Sequence, residues 1–205
     1  MDETESDMQQ VLHVGCGQKR KADLPVGFRG DDWAEIRLDI DPTVKPDILG
    51  TITDLSGIST ASVDAVFSSH NIEHIYLHEV PVALGEFRRV LTDDGFLVIT
   101  CPDLKSIAAR VATADLTEPA YISQSGPITP LDMIYGHGAA IAAGHHYMAH
   151  RCGFTQDSLI RSLASAGFAS IAAIERAQRY VLWAVASKRK RTSAEMDSLR
   201  EQYCA

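Results

Sequence analysis

The chain of 205 residues holds 27 Asp plus Glu against 19 Lys plus Arg, a formal charge of −8 with neutral histidines, and is 45% hydrophobic and 22% charged. That length fits one domain, and the composition is that of a globular chain able to bury a sizeable core, which excludes disorder over most of it. An acidic chain has no global electrostatic reason to coat nucleic acid or an anionic membrane. Apolar runs such as Val181 to Ala186 fall far short of the roughly 20 residues that span a bilayer, and MDETESD is acidic where a signal peptide is basic. A soluble, cytoplasmic protein is expected. Cys16, Cys101, Cys152 and Cys204 show no C-x-x-C spacing, so free thiols in a reducing compartment are expected.

In chain order, residues 1–10 read as a flexible acidic lead-in and the folded part as beginning at Val11. Val11, Leu12 and Val14 form a buried strand stopped by the tight turn Gly15-Cys16-Gly17. From Gln18 to Trp33, Pro25, Gly27, Gly30 and the lack of a 3.6-residue period predict a loop with at most one helical turn. Glu35 to Ile40 is a second strand, Asp47 to Ile52 a short third and Val63 to Ser68 a fourth. Val80, Leu84, Phe87 and Leu91 then mark an amphipathic helix, closed by Thr92 to Gly95. Phe96 to Thr100 is a buried strand stopped at Pro102, and Asp103 to Ala114 reads as helix.

Residues 116–144 are irregular and too long for a plain connection, which suggests a lid or substrate wall. Thr155 N-caps a last core helix that Gly167 stops, and Phe168 to Ile174 and Tyr180 to Ala186 read as an antiparallel pair. Residues 193–203 form a terminal helix with Met196, Leu199 and Tyr203 on one face, which either caps the domain or meets a second subunit in a homodimer. The alternation of strands and helices indicates an α/β sheet with helices on both faces.

Ligands of open parallel sheets bind beyond the strands' carboxyl ends. Gly15 and Gly17, Asp39 and Asp41, Asp54, Ser68 to His70, and Asp103 all fall at such ends. A glycine turn beside a carboxylate that can accept two hydrogen bonds from a ribose diol describes a nucleoside site. A dinucleotide site would need G-x-G-x-x-G running into a helix, and this motif stops at G-x-G.

VLHVGCG at 11–17, LDIDP at 38–42, TDL at 53–55, DAVFSSHNIEH at 64–74, EFRRVL at 86–91 and DGFLVITCPD at 94–103 follow one another in an order and spacing that resembles class I S-adenosylmethionine-dependent methyltransferases of the type 11-like group. The resemblance spans residues 11–187. It implies a Rossmann-like, mostly parallel seven-stranded sheet with a C-terminal antiparallel hairpin, and S-adenosyl-L-methionine as cofactor. Gly15, Cys16 and Gly17 would meet the cofactor's amino acid moiety. Asp39, with Ile40 beside it, would hold the ribose hydroxyls. Asp54 and Leu55 would contact the adenine, and Ser69 and His70 would lie near the methyl group. The stretch between Gly17 and Asp39 departs from the pattern, because it lacks a full-length first helix.

Other residues are weighed against structural roles. His70 is a candidate general base, although it and His74 can equally hold loops. His13 reads more readily as a paired core histidine than as a ligand contact. His137, His145, His146, His150 and Cys152 crowd together, and His146 and His150 would share a helical face, yet no second ligand pair stands at finger spacing, so no metal is assigned. His150 is the candidate for contact with the acceptor and, with His70, a candidate catalytic base if the acceptor is a hydroxyl. Lys188 to Arg191 reads as a solvated basic tail that, with the terminal helix, occupies 188–205.

These readings converge on in-line methyl transfer to a small-molecule acceptor, with residues 116–150 as lid or acceptor wall. The alternative is a non-catalytic S-adenosylmethionine-binding partner or sensor module. The acidic charge and the lack of an Asn-Pro-Pro-Tyr-like segment after the fourth strand argue against a nucleic acid substrate.

Overall fold

The computed structural model describes residues 8–113, 115–123 and 125–204. The acidic lead-in expected at 1–10 lies outside the described residues as far as Asp7, while Gln9 and Gln10 already belong to the first strand. The strands are β1 Gln9–Val14, β2 Trp33–Asp39, β3 Ile48–Leu49, β4 Val63–Ser69, β5 Leu91–Pro102, β6 Tyr121–Ser123, β7 Gly126–Ile128, β8 Ser170–Arg176 and β9 Val181–Ser187. The α-helices are α1 Val80–Val90, α2 Leu104–Val111, α3 Pro130–Tyr135, α4 Gly138–Ala142, α5 Gln156–Ser165 and α6 Ser193–Tyr203.

Seven strands form one sheet in the order β3-β2-β1-β4-β5-β9-β8. Within this sheet β9 alone is reversed relative to the other six strands, which yields the expected mostly parallel sheet with its C-terminal hairpin. Central strands buried on both faces are mainly apolar on both, and β1 and β4 are so apart from the buried His13 and Ser68;. Leu12, Val14 and Val66 face a layer built by Val80, Leu84 and Phe87 of α1 with Leu159 and Leu163 of α5. Val11, Ala65 and Phe67 face the other layer.

That second layer has an unusual cover. The β1 to β2 connection has no long helix, as the glycines and proline predicted, but holds two short 3-10 turns, Lys21–Asp23 and Val26–Phe28, where at most one was expected. The face is closed instead by α6, whose Tyr203 packs 4.5 Å from Phe28 and 4.8 Å from Phe96 between ring centroids, with Trp33 edge-on to Phe28 at 5.0 Å. A Cβ at Gly27 would lie 2.5 Å from the Tyr203 ring, so the turn can approach the helix only as glycine. The terminal helix packs Met196 and Tyr203 against its own domain, the first of the two roles that its apolar stripe left open.

Three expectations are corrected. Leu91 does not end the α1 stripe: its backbone turns extended and it pairs with Val63 as the first residue of β5. The third strand is two residues long, not the full Asp47 to Ile52. The segment expected to be irregular contains the β6-β7 hairpin and the short helices α3 and α4, where Thr129 and Asp132 form a reciprocal N-terminal cap;. Among the described residues no helix is long and apolar enough to cross a membrane.

Candidate active site

Strand order reverses between β1 and β4, and the polar residues gather at the carboxyl ends around that point;. The turn after β1 places Gly15 at φ 62° and Gly17 at φ 53°, both left-handed;. The space over Gly17 is open, with no heavy atom within 4 Å of where a Cβ would stand. Asp39, at the end of β2, accepts the Gly17 amide on Oδ2 at 2.7 Å and the Asp41 amide on Oδ1 at 2.9 Å. The acidic strand end and the glycine turn are thus joined directly.

A residue outside the expected set holds this corner. Arg37 is 5% exposed, and its guanidinium donates to Gly17 O at 2.6 Å, Lys45 O at 2.8 Å and Lys19 O at 3.2 Å. Its planar fork is suited to several fixed carbonyls at once. His13, by contrast, lies inside the sheet layer as the core-histidine reading expected: its Nδ1 is 2.7 Å from Glu35 Oε1, and both side chains are buried.

The remaining expected residues divide. Ile40 is 57% exposed at the rim and available to a ligand. Asp54 is exposed after β3, where Ser56 hydrogen bonds hold its carboxyl below the usual range. Leu55 is turned into the core at 1% exposure, and its amide donates to Glu86 Oε2 at 2.8 Å, so its side chain is not presented to the site. The Cys16 thiol is also buried, and burial, with the charges of Asp39 and Glu35, pushes it up to about 12. At the end of β4, Ser69 Oγ accepts from Thr100 Oγ1 at 3.1 Å, and His70 follows at φ 50° with its side chain half exposed.

Asn71 was not singled out by the sequence. A Cβ on Gly15 would stand 2.4 Å from its Nδ2, so the two residues interlock, and that Nδ2 is buried without a hydrogen-bond partner. A buried donor left unpaired beside an open glycine turn is a position that a polar ligand can complete.

Behind His70, Glu73 is 1% exposed and neither of its oxygens has a hydrogen-bond partner. His70 Nδ1 lies 3.3 Å from Glu73 Oε1, an ion-pair approach outside hydrogen-bond geometry. Burial pushes this carboxyl up, and His70 together with His74 and His150 more than offsets it, holding the group below the usual range. His150 belongs to the segment before α5, and burial pushes its imidazole down. His146, expected to share a face with it, is exposed instead, whereas Glu73, His74 and His150 bring ligand-type atoms within 4.8 Å of one another. The sequence assigned no metal and did not pair these three.

Segment 116–150 reaches the same corner. Tyr147 donates to Asp41 Oδ2 at 2.8 Å and meets His145 Nδ1 at 2.7 Å. Gly136 at φ 97° lets the segment fold back on itself, since a Cβ there would stand 2.1 Å from Met148 O. A cavity of about 490 Å³ opens nearby between the end of β5, α2 and the β8-β9 connection, with Asp103, Arg110 and Tyr180 in its walls.

Residues 12–99, from the second half of β1 through most of β5, match the family described as methyltransferase domain. Over that stretch the chain is similar to a methyltransferase domain, consistent with the class I resemblance of its motifs. Solved structures agree on the fold. A protein from Pyrococcus horikoshii superposes with a TM-score of 0.59 at 14% identity, over 91% of this chain and 85% of that one. A S-adenosylmethionine-dependent methyltransferase from Archaeoglobus fulgidus gives 0.52 at 14% identity, over 87% and 86%. The 1,6-didemethyltoxoflavin-N1-methyltransferase of Burkholderia thailandensis, solved with 1,6-didemethyltoxoflavin and S-adenosylhomocysteine, gives 0.53 at 15% identity, over 89% and 72%. No curated protein matches the chain in sequence. The chain shares the fold of these structures, and its own α6 closes the sheet face that the short β1 to β2 connection leaves open.

Proposed function

We propose that this protein transfers a methyl group from S-adenosylmethionine to a small-molecule acceptor, with residues 11–187 as the catalytic unit and 116–150 as its lid. The reading is carried by one observation: the open, left-handed turn at Gly17 is hydrogen bonded to Asp39, the carboxylate at the end of the next strand. An Asp39 oxygen that already accepts one amide retains lone-pair capacity for a ribose hydroxyl. The unpartnered Nδ2 of Asn71 fits the carboxylate end of an amino acid moiety lying along Gly15. Ile40 offers an apolar rim, and Asp54 a hydrogen-bond acceptor for the adenine amine.

When bound, the cofactor supplies an electrophilic methyl group on a sulfonium. The protein's share is to orient the acceptor in line, exclude water and, for a hydroxyl acceptor, take up a proton. His70 is assigned that last part. Nδ1 of its ring faces the buried Glu73 carboxylate, which favours a proton there and leaves Nε2 as the accepting nitrogen;. Tyr147, fastened to Asp41, is suited to fold the lid over the cleft and hold water out;.

Calorimetry on the full chain with S-adenosylhomocysteine tests the binding half: affinity that is present in the wild type and lost in Asp39→Ala is expected, and no binding by the intact protein overturns the proposal. Incubation with methyl-labelled cofactor and a panel of small hydroxyl and amine acceptors tests transfer. Cofactor binding with no turnover across the panel would favour a binding module instead.

A further inference from the structure

The cluster behind the β4 loop has properties that methyl transfer does not require. Glu73 is a buried carboxylate whose two oxygens accept no hydrogen bond, which leaves lone pairs on both oxygens free for a further partner;. Two imidazoles flank it. His74 Nδ1 lies 3.2 Å from Ala149 O, and His150 Nδ1 lies 3.1 Å from Met133 O. A carbonyl oxygen can only accept, so each Nδ1 donates, which leaves Nε2 as the ring atom available to a ligand;. This is the outer-partner arrangement that fixes the tautomer of metal-ligating histidines.

The two rings meet edge to face with centroids 5.0 Å apart, and one ligand atom from each of the three residues lies within 4.8 Å of the others. Ligand atoms around a tetrahedral ion with bonds near 2.0–2.1 Å stand about 3.4 Å apart. Small side-chain rotations therefore close the set. The backbone is already fixed for this, because Glu73 O accepts the Arg151 amide at 2.8 Å and His150 N donates to Tyr135 O at 3.0 Å.

From the unpartnered buried carboxylate of Glu73 and the two oriented imidazoles beside it, we propose that Glu73, His74 and His150 bind a divalent transition cation of the zinc class, in a two-histidine, one-carboxylate site with a fourth position open. The ligand types suit zinc, and three protein donors leave a position that solvent can fill. One Glu73 oxygen stays with His70 while the other meets the ion. The cation neutralises the buried charge and clips the loop after β4 to the end of the lid. The thiols are not part of the set: Cys152 Sγ donates to Ile72 O at 3.4 Å, and burial pushes this thiol up to about 11.

The test uses untagged full-length protein stripped with chelator and titrated with Zn²⁺ alone, the metal then being counted by mass spectrometry after gel filtration. One equivalent per chain is expected. Glu73→Gln and His150→Ala are each expected to weaken Zn²⁺ affinity roughly 100-fold or more, since loss even of an outer partner typically costs 10–100-fold. His146→Ala should leave it unchanged. As the Glu73 and His150 variants disturb a buried site, wild-type protein loaded with Co²⁺ supplies a second readout: visible d–d bands without a thiolate charge-transfer band. Substoichiometric zinc, undiminished affinity in Glu73→Gln, or a thiolate band overturns the proposal.

Discussion

Asp39 Oδ2 accepts the Gly17 amide at 2.7 Å, so the carboxylate expected to hold a ribose also shapes the turn expected to cradle the rest of the ligand. Ligand affinity and local stability are therefore coupled at this residue. A hydrogen bond to a charged group contributes roughly 1.5–3 kcal/mol, or about 10- to 150-fold in affinity. Asp39→Asn is expected to lose S-adenosylhomocysteine affinity within that range and to lower the unfolding midpoint as well. Calorimetry paired with thermal unfolding checks both, and a fall in affinity with no change in midpoint would contradict the coupling.

The two glycines of the turn are predicted to differ. Gly17→Ala meets only the left-handed backbone penalty of roughly 1–2 kcal/mol, because no atom crowds its Cβ position;. Gly15→Ala meets the same penalty and also drives a methyl into Asn71. Denaturant unfolding should rank Gly15→Ala as clearly the less stable variant, while both lose ligand binding. Equal stabilities would mean that Asn71 can move aside freely.

Arg37 is predicted to be as important to the site as any residue that faces it. Arg37→Met keeps the length of the stem but leaves the Gly17, Lys19 and Lys45 carbonyls without their donor. The loss of one charge-assisted bond alone implies a destabilisation of roughly 1.5–3 kcal/mol. Faster amide exchange across residues 17–20 and 44–46 than in wild type is the expected signature.

Much of this architecture was legible in the sequence, and the reason is physical. The apolar run at Val11 to Val14, the helical stripe through Val80, Leu84 and Phe87, and the Thr155 cap are local patterns imposed by burial and backbone geometry. Asp39 and His70 were readable because they end recognisable strands. Arg37 and Asn71 were not, since an arginine within a strand signals an exposed face until its carbonyl partners are known, and nothing local ties Asn71 to the Gly15 turn. Likewise, His74 and the lid backbone that it touches at Ala149 are 75 residues apart in sequence. The boundary at Leu91 failed for a related reason: pairing with Val63 overrode a helical period that continued through it.

Acid should reveal how α6 is held. Thr192 and Glu195 cap each other at its start, and these bonds together with Arg189 lower the Glu195 carboxyl to about 2. A depressed carboxylate contributes stability that is complete above its unfolded pKa near 4.5 and is lost as pH falls through the folded value;. The near-UV signal of the Phe28, Trp33, Phe96 and Tyr203 cluster is thus expected to hold steady from pH 7 to about 4.5 and to weaken towards pH 2. Glu195→Gln should remove the component of the pH dependence that this carboxylate supplies; an unchanged profile would show that the cap does not govern the helix.

The placement of α6 also has a consequence for how the protein is made. In the usual alternating plan each sheet face is covered by helices synthesised between the strands they cover. Here Phe28, Trp33 and Phe96 await Tyr203, which is translated more than a hundred residues after the tryptophan. Through most of synthesis the nascent sheet therefore shows a sticky aromatic face, and a ribosome that stalls before α6 releases a product prone to aggregate or to be captured by chaperones.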